Sequence, residues 1–496
     1  MDSVLRGIND VVLAYFFAIN LVYTLLLVIS VRESRQHGRR MGFGGYDVIL
    51  HSPLTLPVSV LMPAYNEENT IVQAVQALRL QKYGEFEIVV IDDGSTDSTL
   101  DRLVEAFALE KVDRPLRLTL PCRRLQGVYI SRQVANLIVV AKENGGKADA
   151  LNAGVNAARF PLFCAIDADA ILERDALLRV VKPFMERPRE TVASSGIVRV
   201  VNGCTVRDGT VTEVRAPRNH LAVLQVVEYL RAFLTSRTGW SRIGSLFVIS
   251  GAFGVFKKAA VLEVGGYRTD TVGEDMDLVL RLHRMYRERG EPYRIVFIPD
   301  PVVWTEAPED LRTLRRQRNR WHRGLLECLW ASRRMIGRPK YGPVGLFGLP
   351  YNLLFEALGP LVEVSGYAIL VVSIALGVVG VQFVVLFFLL AVGYGVFLSV
   401  AAVLLDQAGG GGSGSRRDLA WLLMFTVIEN FGYRQLQALW RAQATVDFLR
   451  KKQGWGEMRR IGFESGAQSQ EQAARSRRKA SPGERATRVP APATRR

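Results

Sequence analysis

Residues 86–99 read FEIVVIDDGSTDST, and their reading decides the class of fold. Residues 88–91 form an unbroken branched apolar run, as in a strand buried on both faces. Asp92 and Asp93 stand at its carboxyl end, and Ser95 or Asp97 is placed to cap a helix after it. The same order of signals occurs upstream, where VSVLMP (58–63) leads into AYNEEN (64–69) and then Ile71, Val75 and Leu78 at helical spacing. Downstream it recurs twice: a strand at 137–140 opens into KENGGKADALNAGVNAA (142–158), and the apolar run in PLFCAIDADAIL (161–172) ends at Asp167, Ala168 and Asp169. Strands alternating with helices predict a mostly parallel α/β sheet covered on both faces. Ligands of such sheets bind outside the carboxyl ends of the strands, so the acidic loops point into one crevice.

The residue types at those ends suit a phosphate-bearing ligand. Gly145 and Gly146 allow a tight turn, and Lys147 opens a helix, where a cation adds to the positive end of the helix dipole. Asp167 and Asp169, at i and i+2 as the chain leaves a strand, form a set able to hold one hard divalent cation with positions left for phosphate oxygens. Further on, VISGAFGVFKKAAV places Ser250 and Gly251 at the end of an apolar run, and Glu274 and Asp275 begin a helix carrying Leu278 and Leu282. Between Lys111 and Leu137 the periodicity is lost, and the segment reads as a long loop over the site with no chemistry assignable to Arg123, Arg124 or Tyr129.

Composition adds a membrane. Hydrophobic residues make up 49% of 496 positions, high for a purely soluble chain. Residues 11–31, VVLAYFFAINLVYTLLLVISV, are long enough to cross a bilayer. Arg32, Arg35, Arg39 and Arg40 follow, which by the positive-inside rule places the next domain in the cytoplasm. The charge order is the reverse of a signal peptide's, so the segment reads as a retained anchor. Two further crossings are expected near 361–379 and 383–405, with Glu356 and Glu363 facing protein, water or a transport path, or else lying at the interface. A third apolar stretch, 419–440, contains Glu429, Asn430, Arg434 and Gln435 and reads as re-entrant or interfacial. Of the net charge of +16, half lies in residues 451–496, which carry 12 Lys/Arg and 4 Asp/Glu. Beside membrane segments such a tail faces anionic lipid, and with no recognition motif present nucleic acid is not expected as a partner. Cys122, Cys164, Cys204 and Cys328 are widely spaced and read as reduced thiols.

Between the water-soluble and apolar parts lies LRTLRRQRNRWHRGLLECLW, residues 311–330. Leu311, Leu314, Trp321, Leu325 and Leu329 share a face, with Arg312, Arg315, Arg316 and Arg323 mostly elsewhere, as in an interfacial amphipathic helix. Gln317, Arg320 and Trp321 fall at i, i+3 and i+4 and converge on one side, which an anchor alone does not require.

Taken in order, these motifs resemble the inverting family 2 glycosyltransferases, and among them the membrane synthases of cellulose, hyaluronan, chitin oligosaccharide and poly-N-acetylglucosamine. The opening P-x-Y-N-E is similar to Pro63, Tyr65, Asn66 and Glu67, with Ala64 between; D-D-G-S to Asp92, Asp93, Gly94 and Ser95; and G-K-x-x-A-L-N to Gly146, Lys147, Ala150, Leu151 and Asn152. D-x-D corresponds to Asp167 and Asp169, the acceptor-side S/T-G turn to Ser250 and Gly251, and Q-x-x-R-W, the mark of processive members, to Gln317, Arg320 and Trp321. The family's T-E-D stands here as Gly273, Glu274 and Asp275, so the hydroxyl is missing while the base stays.

The resemblance implies an α/β GT-A nucleotide-diphospho-sugar transferase domain, cytoplasmic and inserted between transmembrane helices of a multi-pass cell-membrane protein. It implies that Ala64, Tyr65, Glu67, Asp92, Asp93, Lys147, Asp167, Gln317, Arg320 and Trp321 bind the nucleotide-sugar. Ser250, Gly251 and Trp321 bind the acceptor, Asp167 and Asp169 bind a divalent cation (Mg2+ or Mn2+), and Asp275 with Glu274 is catalytic. The donor is then a UDP-sugar, UDP-N-acetylglucosamine in preference to UDP-glucose, and the acceptor a growing glycan. The few crossings suggest a small membrane partner subunit that completes a channel. Two other readings stand beside processive synthesis: a single transfer to a polyprenyl phosphate or lipid, and a non-catalytic membrane scaffold. The chain divides into a leading segment 1–10, a membrane helix 11–31, a linker 32–56 and the transferase domain 57–310. Interfacial helices 311–356, two membrane helices in 357–406, a glycine-rich loop 407–418, the third apolar segment 419–450 and the basic tail 451–496 complete it.

Overall fold

The structure is a computed structural model that describes residues 2–450 other than 44–45, 47–49, 51, 53, 410 and 413–414. The basic tail expected at 451–496 lies outside the described residues.

Four strands carry the first half of the sheet: β1 (Val58–Ala64), β2 (Phe86–Asp92), and, after the short β3 (Leu109–Val112) and β4 (Leu125–Ser131), β5 (Leu137–Lys142) and β6 (Leu162–Ile166). β5, β2, β1 and β6 lie side by side and parallel, so Lys142, Asp92, Ala64 and Ile166 all end at one edge. β2 is buried from Glu87 to Asp92 and β6 throughout, as strands covered on both faces must be. Helices Ile71–Arg79 and Thr99–Phe107 bury residues spaced by three or four: Ile71, Val75 and Leu78 on one, Thr99, Leu103 and Phe107 on the other. Each fully buried aliphatic or aromatic side chain contributes roughly 1.5–3 kcal/mol by leaving water.

The second half departs from the mostly parallel expectation. β7 (Ile171–Leu172), β8 (Thr191–Val200), β11 (Phe253–Lys257) and β12 (Arg294–Thr305) extend the same sheet, while β9 (Thr205–Arg207) and β10 (Thr210–Glu213) form a separate hairpin. β11 runs antiparallel to both β6 and β8, with Phe253 opposite Ile166. The reversal brings the start of β11, preceded by Ser250 and Gly251, to the edge where the parallel strands end. The segment between Lys111 and Leu137 also departs from expectation, because β3 and β4 pair antiparallel and β4 adds to β5. Only Val128 in β4 is fully buried, so this edge pair carries almost no apolar signal.

Helix α1 (Asp2–Phe43) contains the first apolar segment. Among the described residues two helices, Asp2–Arg39 and Val381–Ala408, are long and apolar enough to cross a membrane. The pair Val344–Ala357 and Gly359–Ala375, bent by 41°, makes a third if it is one span. Asn9 of α1 donates to Ser373 Oγ at 2.7 Å and Asn20 to the Leu390 carbonyl at 2.9 Å, so polar side chains join α1 to both other segments. Segment 419–440 is two helices, Arg416–Ile428 and Arg434–Leu449, separated by non-helical Phe431 and Gly432. Glu356 faces protein, meeting Arg441 at 2.9 Å and the Tyr351 hydroxyl at 3.0 Å. All four cysteines are free.

Candidate active site

The loops after β1 and β2 are stitched together. Asn66, in the left-handed region at φ 56°, donates its N–H to Ser95 Oγ at 3.1 Å, and its side-chain oxygen accepts from Thr96 N at 2.8 Å. Glu67 N donates to Thr99 Oγ1 at 2.8 Å. Asparagine enters the left-handed region more readily than most residues, and here its side-chain oxygen is held by the neighbouring loop. Ala64 is buried at the strand end and its carbonyl accepts from Asp93 N at 2.9 Å, while the Tyr65 ring remains exposed. Asp92 is buried, its Oδ1 accepts from Ser95 N at 3.3 Å, and burial pushes its carboxyl above the ordinary carboxylate range.

Asp93, expected to contact the nucleotide, is engaged by protein. It forms a buried ion pair with Lys142 and accepts from the N–H groups of Gly145 at 3.1 Å and Gly146 at 2.7 Å. Lys142, fully buried, also meets Asp149 at 2.6 Å. These carboxylates therefore shape the Gly-Gly turn from which Lys147 emerges. Gly146 needs its freedom there, since its φ of +85° is rarely open to other residues. Arg123, to which the sequence assigned no chemistry, belongs to the same frame, for its N–H donates to both Asp149 oxygens at 3.0 Å.

Lys147 leads the helix Lys147–Ala157 and binds Asp167 Oδ1 directly. It also donates to the Gly251 carbonyl at 3.0 Å. On the other side of the same residue, the Gly251 N–H donates to Asp275 Oδ2 at 3.0 Å. Lys147, the D-x-D motif, the Ser-Gly turn and Asp275 are thus joined through one glycine. Its missing side chain matters, because a Cβ there would stand 3.0 Å from Lys147 Nζ. Burial works against the Lys147 charge, but Asp167, Glu274 and Asp275 outweigh it and hold its pKa above the ordinary value. Ser250 Oγ accepts from Ala252 N at 3.4 Å and so braces the turn.

Glu274 and Asp275 start the helix Glu274–Arg289. Asp275 Oδ1 accepts from Met276 N at 2.8 Å, which fixes the carboxylate plane with Gly251. Glu274 is buried; burial first and then the Asp275 charge push its carboxyl up to about 7, with Lys147 and Arg320 pulling the other way. Arg320 therefore lies within electrostatic reach of Glu274.

Residues Leu311–Ala331 form one helix, hereafter α2, opened by Asp310, whose side chain accepts from Thr313 N at 2.8 Å. Its surroundings differ from those of a purely interfacial helix. Leu311 and Trp321 are exposed while Arg318, His322 and Arg323 are buried: Arg318 pairs with Glu228 of the helix His220–Tyr229 at 2.9 Å, and the helix Arg434–Leu449 packs along the polar side. Across that contact Asn319 meets Asp447 at 2.8 Å and His322 meets Thr445 at 3.0 Å. The Arg318 guanidinium lies 4.5 Å over the Trp321 ring, leaving that ring partly open. Gln317 Oε1 is buried with no hydrogen-bond partner among the described residues.

The other side of α2 meets the loop before Glu274. Glu327 Oε2 accepts from Thr271 Oγ1 at 2.8 Å and from Val272 N at 3.0 Å, and Cys328 Sγ donates to the Gly273 carbonyl at 3.4 Å. Gly324 packs on Gly273 itself. Glycine in place of the family's threonine at 273 suits this close packing, since a Cβ there would stand 3.0 Å from the Gly324 Cα. None of Thr271, Gly324, Glu327 and Cys328 was a sequence candidate. The spacing of Gln317, Gly324 and Glu327, at i, i+7 and i+10, was the available signal.

Residues 59–261 match the family model described as glycosyl transferase family 2, and residues 162–398 match glycosyl transferase family group 2. The chain is a family 2 glycosyltransferase. This transferase is 29% identical over 301 residues to a poly-beta-1,6-N-acetyl-D-glucosamine synthase of Staphylococcus aureus, covering 61% of each chain. A synthase of the same name from Staphylococcus epidermidis is 27% identical over 279 residues, 55% of this chain and 57% of its own. The chain thus spans about three-fifths of the length of these curated relatives. Among solved structures, a mannosyltransferase from Pyrobaculum calidifontis in complex with GDP-Man and Mn2+ superposes with a TM-score of 0.51 at 20% identity, over 90% of this chain and all of the other, which shows a shared GT-A fold.

Proposed function

We propose that this transferase is an inverting membrane synthase that adds sugars from a UDP-sugar, UDP-N-acetylglucosamine first, to a growing β-linked polysaccharide on the cytoplasmic side of the cell membrane and passes the product outward. The observation that carries the reading is Gly251, bonded through its carbonyl to Lys147 and through its N–H to Asp275. Donor-phosphate machinery and an acceptor-side base then meet at one point, as a single in-line displacement requires. The names of the staphylococcal relatives support the sugar and the polymer.

An acceptor hydroxyl is a poor nucleophile. In the proposed step its oxygen attacks the anomeric carbon while its proton passes to Asp275, and the bond to the diphosphate oxygen breaks with its electron pair. One displacement inverts the centre. Lys147 and Arg320 meet the negative charge that grows on the leaving group, and Trp321 offers a flat apolar face to the acceptor sugar. Asp92 and the Tyr65–Glu67 loop hold the nucleoside.

Among the described residues no group of three or more His, Cys, Asp or Glu side chains is placed to hold a metal ion. Two carboxylates from a D-x-D turn nonetheless fit Mg2+ or Mn2+, which commonly bind through one or two carboxylates and complete their shell with substrate phosphates and water. Asp167 and Asp169 would hold that cation, which supplies positive charge to the diphosphate.

The experiment is a donor panel in membranes containing the full chain, with product sizing. Labelled UDP-N-acetylglucosamine is expected to give a polymer sensitive to a matching glycanase, lost on chelation and restored by Mg2+ or Mn2+. A product confined to organic-soluble glycolipid would favour single transfer to a lipid. No transfer from any donor would leave a scaffold.

A further inference from the structure

We infer that Glu327 is a positioning residue for the base, holding the 271–273 loop so that the seating of α2 sets where Asp275 stands; this rests on the proposed role of Asp275. One oxygen of Glu327 serves two donors, Thr271 Oγ1 at 2.8 Å and Val272 N at 3.0 Å. Thr271 Oγ1 in turn accepts from Gly273 N at 3.2 Å, so a single carboxylate orders three consecutive residues. The next residues are Glu274 and Asp275.

The helix they begin lacks the usual device for fixing its start. Its N-cap is Gly273, which has no side chain to cap with. The order that a capping hydroxyl would give locally comes instead from the helix packed against it, through Glu327 and the Cys328 thiol on the Gly273 carbonyl. The same helix α2 carries Gln317, Arg320 and Trp321, ten to six residues earlier. Movement of α2 under an advancing glycan would therefore be transmitted to the base by a hydrogen-bonded link. What the link needs is an acceptor oxygen at this position, not a negative charge.

The test uses the full chain in membranes or nanodiscs, with donor KM and kcat measured separately. Glu327→Ala is expected to lower kcat roughly 10- to 100-fold, the scale on which a misplacement of about 1 Å acts, with donor KM changed by less than about 2-fold. Glu327→Gln keeps an acceptor oxygen and is expected to restore most of the rate. Thr271→Val, which keeps shape and removes the hydroxyl, should lose part of the rate, and the pair Glu327→Ala/Thr271→Val should lose less than the product of the two. Retained kcat in Glu327→Ala, a Gln variant as impaired as Ala, or independent effects of the two sites would overturn the inference. If Glu327→Ala fails to fold, the Gln and Val variants still decide it. Asp275→Asn separates the two levels: an active Asp275→Asn removes the base, whereas an inactive one beside a normal Glu327→Ala removes only the positioning role.

Discussion

Gly273 and Gly324 meet backbone to backbone: a Cβ built on either would stand 3.0 Å from the Cα of the other. Both sides of this contact are main chain, so neither can rotate away. Restoring the family's threonine with Gly273→Thr should wedge α2 from the loop before Glu274. The expected cost is about 1–3 kcal/mol, the usual penalty of overpacking, together with a fall in kcat. Thermal unfolding in detergent and initial rates check both, and Gly324→Ala should reproduce the effect from the opposite side.

Asp275→Asn keeps the size and the hydrogen bond accepted from Gly251 while removing the proton acceptor. Transfer should drop on the order of 10²- to 10⁴-fold, the range of a general base. UDP binding, followed by calorimetry, should stay near that of the parent. Near-normal turnover would remove Asp275 from the mechanism.

The pH profile of transfer should carry the signature of Glu274, whose carboxyl burial and Asp275 raise to about 7. As pH rises past that point Glu274 gains charge, which strengthens Asp275 as a base, so the rate should climb through neutrality. Glu274→Gln should flatten that limb. Stability follows the opposite sign: the folded state binds this proton more tightly than the unfolded chain, so the contribution of Glu274 is full below its ordinary value of 4.5 and is lost as pH rises through about 7. Melting curves across that window, with and without the Gln substitution, measure it.

Lys142 is the cation between Asp93 and Asp149 beneath the Gly-Gly turn. Lys142→Met leaves two buried carboxylates without a counter-charge. A loss of about 3–5 kcal/mol is expected, as when one partner of a buried pair is removed. Donor affinity should fall with it, because Asp93 would no longer hold Gly145 and Gly146 in place. A variant that melts like the parent would show that the turn is held by other bonds.

The parallel half of the sheet was largely legible from the chain. Buried apolar runs ending in Asp92 and Asp167 announce strands and an edge, and Gly146 before Lys147 announces a turn into a helix. What escaped has physical causes. Asp93 stands beside Asp92 in sequence, and its contacts with Lys142, Gly145 and Gly146, some fifty residues away, leave no local pattern. β3 and β4 bury so little that period-two alternation is faint. The amphipathic pattern of α2 reports a polar side without saying whether lipid, water or Arg434–Leu449 covers it, and so the buried Arg318 and His322 were not foreseen. Contacts between single residues far apart in the chain, such as Gly273 with Gly324, leave no local pattern.

The reversal at β11 has a consequence for how such a molecule can change over generations. Because β11 runs against β6, its leading end reaches the donor edge at once; a parallel β11 would place that end about 17 Å away, the length of a five-residue strand. The strand works as a seam between two inheritable halves. Insertions and substitutions on the far side of it would leave the four parallel strands, and the loops at their carboxyl ends, as they were.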